Sequence, residues 1–359
     1  ILPTAHPRLN ENIRLFDVAL VARSNEITFF DVLRSPQHHY RPDDVVNLFA
    51  AVSEDRVRTL ADVLSTYILK NLPAAIDKRD GLSDYRTNPY VLLTSASVLK
   101  LDDPGRFAEF LFNNKFYMGL ETSFGKAIES AFVCTYPLHP DAKHKWVDPP
   151  EKVAEFVALE GLSREEKAKR RTGSVWREID KSCVVGKHRY MTSIKSGPNT
   201  INDTQVQAMT TAIAQNYKAW MAQTHVNYPD VSELDVVIGL TYGTDRTTNN
   251  KENQVLVKLL DLGFQEEDRA KKPGVLIDTA TQSIRVYRRI GRDFRALIGN
   301  PEAPTSTSFV FLEILLALSK ALSSGMETAD LESRINRKLQ ALTSALGKLM
   351  FPKNSLPGW

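Results

Sequence analysis

The sequence predicts a mixed α/β fold, in which a sheet flanked by helices lies between helical N-terminal and C-terminal regions. Strand-like apolar runs cluster in the middle of the chain, at 175–185, 189–195, 234–240, 274–278 and 284–288. One long helical pattern, at 204–223, separates the first strands from the later ones. A hairpin, a helix and returning strands together indicate a mixed sheet covered by helices.

The periodicity divides the chain into three predicted parts. Residues 1–118 are mainly helical, because apolar side chains recur every three or four positions in stretches such as 44–52 and 58–69. Residues 119–300 form the central α/β domain, and residues 301–359 form a helical C-terminal region.

Helix boundaries are predicted at three places in these parts. Asp103 followed by Pro104 is typical of a helix start. Thr122-Ser123 is a candidate cap for a separate helix at 124–132, which would open the central domain. The C-terminal region should contain two helices, with a break at 323–325.

The second C-terminal helix is amphipathic. Its apolar positions share one helical face: Leu331, Ile335, Leu339, Leu342 and Leu346. This face either packs inside the molecule or forms a dimer contact.

Composition limits the possible partners. With 46 Lys plus Arg against 43 Asp plus Glu, the net charge is only +3, so nucleic-acid binding would depend on local basic clusters. The most apolar run, 309–318, is shorter than the roughly 20 residues of a membrane span, so no membrane association is expected. Two cysteines without metal spacing and the lack of an apolar leader favour a cytoplasmic location.

The most informative segment, 180–199, predicts a β-hairpin. Gly186 and Lys187 suit a two-residue type II′ turn, which prefers glycine at its first position. Such a turn pairs Val185 with His188 and thereby sets the register of both strands.

This register brings chemically active residues together. Counting outward from the turn, Asp180 faces Ser193. Residues two apart on a strand share a face, so Asp180 and Lys195 become diagonal neighbours. A carboxylate suited to hold Mg²⁺ would then lie beside an ammonium suited to position a water molecule.

Phosphodiester hydrolysis needs a cation that neutralises developing charge and an activated water. Asp180 is the predicted metal ligand, and the main-chain carbonyl of Ile194 is a second one, since carbonyl oxygens suit hard cations. Ser193 occupies the position where a second carboxylate would be expected. Glu129 is the natural substitute, because it lies on an apolar helix stripe and needs a partner there; alternatively, it reaches solvent at the edge of the stripe.

The residues after Lys195 offer contacts to a phosphate. Gly197, Pro198 and Asn199 predict a tight turn whose amides can hold a phosphate near the metal. Residues 202–204 offer caps for the next helix. Gln205 and Gln207 either contact DNA or serve in ordinary capping and solvation.

Three further groups are candidates for DNA contacts, and an ordinary solvated surface is the alternative interpretation of each. The first is a basic cluster that precedes the hairpin, Lys169, Arg170 and Arg171. The second is a later arginine cluster at 285–295. The third is a polar loop at 243–251, where Arg246, Asn249 and Lys251 have side chains suited to base recognition.

Taken together, these residues resemble the PD-(D/E)XK superfamily of metal-dependent nucleases, and more narrowly a branch of type II restriction endonucleases with Lys-Ser-Gly-Pro-Asn. The resemblance covers about 119–300, and it includes Ile194-Lys195-Ser196-Gly197-Pro198-Asn199, Phe124-Gly125-Lys126-Ala127-Ile128-Glu129 and 291–299.

The resemblance implies a catalytic central domain with Asp180 as metal ligand, Lys195 as catalytic lysine and Glu129 as helix acid. Ser193 departs from the usual acid, which leaves the number of bound metals open. The implied activity is Mg²⁺-dependent hydrolysis of double-stranded DNA at a specific, palindromic site, leaving a 5′-phosphate. Cutting both strands of a symmetric site implies a homodimer.

Other functions stay open. A non-catalytic DNA-binding module that retains the nuclease fold is suggested by Ser193. A structure-specific repair or recombination nuclease would use the same centre without a defined recognition sequence. A more distant alternative, an unrelated hydrolase, lacks a Ser-His-acid pattern or a phosphate-binding loop ending in Gly-Lys-Ser/Thr.

Overall fold

The structure of the protein is a computed structural model. It describes residues 54–79, 81–85, 88–134, 146–195, 197, 200–241, 243, 248–271, 274–299, 314, 317–318, 320–322 and 330–350. The predicted helix at 44–52 and the predicted break at 323–325 lie outside these residues.

Ten α-helices are defined in the described part of the chain: α1 Glu54–Thr66, α2 Leu72–Asp77, α3 Pro89–Leu99, α4 Pro104–Cys134, α5 Pro150–Val157, α6 Arg164–Gly173, α7 Asp203–Asn227, α8 Lys251–Asp261, α9 Arg292–Gly299 and α10 Leu331–Met350. A π-helical turn at Tyr67–Asn71 connects α1 to α2, and Leu82–Tyr85 forms a 3₁₀ turn. None of the helices in the described ranges combines the length and hydropathy needed to cross a membrane.

Six strands are defined in the same residues: β1 Lys181–Val185, β2 His188–Lys195, β3 Glu233–Leu240, β4 Phe264–Glu266, β5 Val275–Asp278 and β6 Ile284–Ile290. They form one sheet in the order β1-β2-β3-β6-β5-β4. The β2–β3 and β3–β6 pairs are parallel, whereas the other three pairs are antiparallel. The predicted mixed sheet flanked by helices is confirmed.

The chain divides into two compact units. One contains Ile1–Leu60 and Ile128–Leu316, and therefore the whole sheet. The other contains Ala61–Ala127 and Ala317–Trp359.

In the second unit, α10 packs against α4. Buried Leu342 and Leu346 of α10 join Leu111 and Phe112 of α4 in one apolar cluster. The amphipathic face of α10 is thus used in intramolecular packing, which was one of the two interpretations of its pattern.

The predicted hairpin register is confirmed. Val185 pairs with His188, and the ladder continues to Lys181 opposite Thr192. Gly186 has φ +57°, whereas Lys187 is not among the positive-φ residues, as expected for a type II′ turn.

Two local predictions were wrong. The strand run at 175–185 becomes a strand only at Lys181, because residues 175–178 form a turn in which the Ser174 hydroxyl accepts a hydrogen bond from the Trp176 amide. Thr122-Ser123 does not start a helix, because α4 runs without interruption from Pro104 to Cys134. The predicted boundary between residues 118 and 119 therefore falls inside this helix.

Helices cover both faces of the sheet. On one face, β3 side chains such as Val236 pack in a cluster with Ile213 of α7 and Leu259 of α8. On the other face, Phe294 of α9 lies directly over Gly239 of β3, where a Cβ atom would come within 2.2 Å of the ring. Close contact between α9 and the sheet therefore requires glycine at 239.

Candidate active site

Asp180 lies one residue before β1 and extends the hairpin with its side chain. Its backbone amide donates to the Thr192 carbonyl at 2.7 Å, and its Oδ2 accepts from the Ile194 amide at 2.6 Å. The two contacts bracket Ser193, the residue that the register predicts opposite Asp180. The carboxylate consequently lies against the peptide group that immediately precedes Lys195.

Oxygen atoms of three kinds lie at this end of β2: a carboxylate, a main-chain carbonyl and a hydroxyl. The amide and carbonyl of one strand residue point to the same side, so the Ile194 carbonyl faces the same edge as the amide bound to Asp180. Pairing with β1 ends at Thr192, before this carbonyl is reached. The Ser193 hydroxyl is buried and has no hydrogen-bond partner within the described residues.

These oxygens fit the cation in donor chemistry, because Mg²⁺ prefers carboxylate and carbonyl oxygen. In the described ranges, no group of three or more His, Cys, Asp or Glu side chains is arranged to hold a metal ion. Glu129 belongs to α4, but its side chain is outside what the structure describes. Its predicted role as a second carboxylate stays a prediction.

Lys195 ends β2 and is half-buried. Its carbonyl accepts a hydrogen bond from the Thr241 amide at 3.0 Å, which fixes the strand end against β3. By strand alternation, the side chain shares its face with Ser193 and Met191, the face covered by α7. The pairing of β2 with β3 thus positions the predicted catalytic lysine.

The site contains a second lysine that sequence reasoning missed. Lys152, in the first turn of α5, donates from Nζ to the Ile179 carbonyl at 2.5 Å and lies 4.0 Å from Asp180 Oδ1. Both charged side chains are mostly buried, with 15% of Lys152 and 16% of Asp180 exposed. No motif could have found Lys152, since only the fold brings α5 to the hairpin.

A buried ion pair holds α5 in this position. Glu151 accepts two hydrogen bonds from Arg189 of β2, at 2.8 and 2.7 Å, and Arg189 is fully buried between the rings of Trp176 and Tyr228. Burial raises the pKa of Glu151, but the Arg189 hydrogen bonds and charge outweigh this effect, and the net pKa is lowered. The adjacent Lys152 is thereby directed to Asp180.

The predicted basic cluster lies on the C-terminal half of α6. Lys169, Arg170 and Arg171 are exposed and form no salt bridge with any side chain that the structure describes. Arg171 lies over the ring of Phe156, 5.1 Å from its centroid, and Lys152 lies 6.0 Å from the same centroid. Cationic side chains therefore continue from α6 across Phe156 to Asp180.

An open groove of about 710 Å³ lies between α5 and α6, next to this cationic row. Its lining includes Phe156, Lys169 and Arg170. Two acids also line it, but Glu155 binds Ser174 and Glu166 bonds to its capping partner Ser163.

The residues predicted to recognise bases are used partly for local structure. The Asn249 side chain donates to the Ile201 carbonyl at 3.0 Å and accepts from the Lys251 amide at 3.2 Å. Lys251 forms a salt bridge with Asp203. Both residues join the loop after β3 to the start of α7, whereas Asn199 and Arg246 lie outside the described residues.

The start of α7 favours the capping interpretation of Gln205. Asn202 accepts from the Gln205 amide at 2.9 Å, and the Gln205 side chain accepts from the Asn202 amide at 3.0 Å. This reciprocal pair is a capping box, so the Gln205 side chain is already engaged. Gln207 bonds to Thr211 and Lys258 on the exposed surface.

The later arginine cluster is divided between the two faces of the sheet. Arg285 is neutralised by Glu233 and Glu267. Arg288 points to the opposite face, where it lies 3.4 Å from fully buried Glu252 of α8. A single phosphate clamp built from this cluster is therefore inconsistent with the sheet register.

Comparison of the sequence with protein-family models gives no match, and comparison with curated proteins gives none either.

Proposed function

We propose that this protein is a Mg²⁺-dependent endonuclease that hydrolyses double-stranded DNA, with a PD-(D/E)XK-like core formed by the β1–β2 hairpin and its surroundings. One observation carries the proposal: the Asp180 carboxylate is bonded to the Ile194 amide, next to Lys195, where the pairing of β2 with β1 has ended. The remaining support is the Lys-Ser-Gly-Pro-Asn resemblance at 195–199.

The chemistry assigned to this chain is limited to positioning. Asp180 and the Ile194 carbonyl would hold the divalent cation, which would supply positive charge to the scissile phosphate. Lys195 would orient the attacking water. Its ammonium only donates hydrogen bonds, so it would donate one to the water oxygen. The water oxygen would bond to phosphorus as the bond from phosphorus to the 3′ oxygen breaks. The proton that the water loses is balanced by the proton that the 3′ oxygen gains, so the products are a 3′-hydroxyl and a 5′-phosphate.

The cationic row on α5 and α6 gives the substrate a path to this centre. Lys169, Arg170 and Arg171 would contact phosphates on one side of the scissile bond, and Phe156 would pack against the sugar or base beside them. Such contacts give salt-dependent affinity without sequence information. Sequence recognition is assigned to the segment 243–251 through Arg246, because the side chains of Asn249 and Lys251 are engaged with Ile201 and Asp203.

Restriction-type specificity is a further part of the proposal. Two active centres related by a two-fold axis would cut both strands of a palindromic site, so we propose a homodimer acting in the cytoplasm. The α10 face is already buried against α4 and does not provide this interface.

Incubation of supercoiled plasmid with the full chain and Mg²⁺ tests the main proposal. Discrete linear fragments that disappear in EDTA and in Lys195→Ala are expected, and sequencing of their ends gives the site and the cut position. Intact plasmid over a range of DNA substrates, metals and salt concentrations would contradict it. Cleavage of branched DNA alone would instead indicate a structure-specific nuclease.

A second candidate function is DNA binding without cleavage. It is favoured by the contact between Lys152 and Asp180, because an ammonium already balances the predicted metal ligand, and by serine at 193. A gel-shift that is unchanged by EDTA and by Asp180→Asn, without cleavage under any metal, would support this alternative.

A further inference from the structure

Lys152 has a defined place in the fold that the proposed reaction does not explain. Its Nζ is fixed by the Ile179 carbonyl at 2.5 Å and lies 4.0 Å from Asp180 Oδ1. The other carboxylate oxygen, Oδ2, is engaged by the Ile194 amide. Oδ1 of Asp180 therefore faces Lys152, whereas Oδ2 is bonded to the backbone of β2.

The position of Lys152 is built into the structure. Glu151, its neighbour, is anchored by two hydrogen bonds to the fully buried Arg189. α5 begins at Pro150, so Lys152 lies in a helical turn whose start is defined by proline. An exposed lysine on a flexible loop would not keep its ammonium near one carboxylate oxygen in this way.

A nearby cation stabilises the mostly buried carboxylate of Asp180. A carboxylate that is 16% exposed loses much of its hydration, and a nearby positive charge offsets this cost. A divalent ion bound to Oδ1 would experience repulsion from the Lys152 ammonium, since like charges at this separation interact strongly near a protein surface.

We infer that Lys152 is the resident counter-ion of Asp180 in the metal-free protein, and that it competes with a divalent cation for the Oδ1 side of this carboxylate. The inference rests on the proposed function for the existence of the metal site. Lys152 acts through Asp180 and is a positioning residue, which sets the cation concentration at which the site fills.

Calorimetric titration of the full chain with Ca²⁺, in the absence of DNA, tests this competition. Lys152→Gln keeps a donor for the Ile179 carbonyl and removes the charge, whereas Lys152→Met removes both. We expect both variants to bind Ca²⁺ about tenfold more tightly than the parent protein. Lys152→Arg should stay close to the parent, as should Lys218→Met, which removes a positive charge from the exposed face of α7.

Specificity for the site is checked in the double variant Lys152→Gln/Asp180→Asn, which should lose the gain in affinity. Equal or weaker Ca²⁺ binding by Lys152→Gln and Lys152→Met would overturn the inference, as would an equal gain in Lys218→Met.

Thermal unfolding gives a second measurement. In EDTA, Lys152→Gln should melt below Lys152→Arg, and Ca²⁺ should remove most of that difference; a difference insensitive to Ca²⁺ would indicate a purely structural role.

The outcome separates this inference from the nuclease proposal. If plasmid is cleaved but Lys152→Gln binds Ca²⁺ like the parent, the nuclease stands and the counter-ion role falls. If no variant cleaves DNA while Lys152→Gln binds Ca²⁺ more tightly in an Asp180-dependent way, the counter-ion role stands and the nuclease proposal falls.

Discussion

The carboxylate of Asp180 acts as a strand partner for Ile194, because its Oδ2 accepts a 2.6 Å hydrogen bond from the Ile194 amide. If β1 continued regularly, the main-chain carbonyl of the residue before Asp180 would accept this bond. The main-chain hydrogen bonds between β1 and β2 end at Asp180, and its side chain forms the next hydrogen bond to β2. A predicted metal ligand is thus held by the same strand edge that ends in Lys195.

Asp180→Asn separates the structural role of this side chain from its proposed chemical role. Asparagine has nearly the same size and keeps an acceptor oxygen for the Ile194 amide, but it has no negative charge. We expect plasmid cleavage to fall by at least about a hundredfold, with DNA affinity in Ca²⁺ and the unfolding midpoint largely retained. Unimpaired cleavage by this variant would remove Asp180 from the mechanism.

The ion pair between Glu151 and Arg189 predicts a large loss of stability when one partner is removed. Arg189→Met leaves Glu151 without its main partner, and Glu151→Gln leaves a buried guanidinium uncompensated. Each change should lower the free energy of unfolding by about 3–5 kcal/mol in urea titrations. The double variant should lose less than the sum of the two, because neither charge is then left unpaired; simple additivity would contradict a direct pair.

The same pair predicts acid sensitivity. Burial raises the pKa of Glu151, but Arg189 lowers it by more. The pKa of Glu151 in the folded protein is therefore lowered. A lowered folded pKa contributes stability that is fully present above the unfolded pKa of about 4.5 and is lost as the pH falls through the folded pKa. Urea titrations between pH 7 and pH 3 should therefore show a steeper loss of stability in the parent than in Glu151→Gln.

The sequence predicted the hairpin best, because a two-residue turn that begins with Gly186 leaves little choice of register. The caps of α7 followed in the same way from Asn202. The three-residue strand β4 was missed, since Phe264–Glu266 is too short to show a period. The continuation of α4 through Gly119 was also missed, because the cost of one glycine in a helix is small enough for tertiary contacts to offset it.

The contacts around Asp180 were only partly predictable. Counting placed Ser193 opposite Asp180, whereas the hydrogen bonds of Asp180 go to the residues on either side, Thr192 and Ile194. Lys152 lies 28 positions before Asp180 in the sequence, on a separate helix. Its placement depends on the pairing of Glu151 with Arg189, which are 38 positions apart. Local periodicity carries no information about pairs at such separations, and single charged residues give no motif.

Gly239→Ala tests the packing of α9 on the sheet. The new Cβ atom would lie 2.2 Å from the Phe294 ring, so either the ring or the strand has to move. We expect the free energy of unfolding to fall by about 1–3 kcal/mol. Phe294→Leu in the same chain should recover part of this loss, since the smaller side chain relieves the clash; destabilisation that is unchanged by Phe294→Leu would point to backbone effects at residue 239 instead.

The cationic row predicts how DNA affinity depends on salt. Arg170 and Arg171 are exposed, and Arg171 is additionally positioned by the ring of Phe156. If each contacts one phosphate, Arg170→Ala and Arg171→Ala should each reduce the slope of log affinity against log salt by about 0.9. The loss should be similar on every DNA sequence, because phosphate contacts carry no base information. Lys218→Ala, on the exposed part of α7, is the matched control and should leave the slope unchanged; an unchanged slope in both arginine variants would place the DNA elsewhere on the protein.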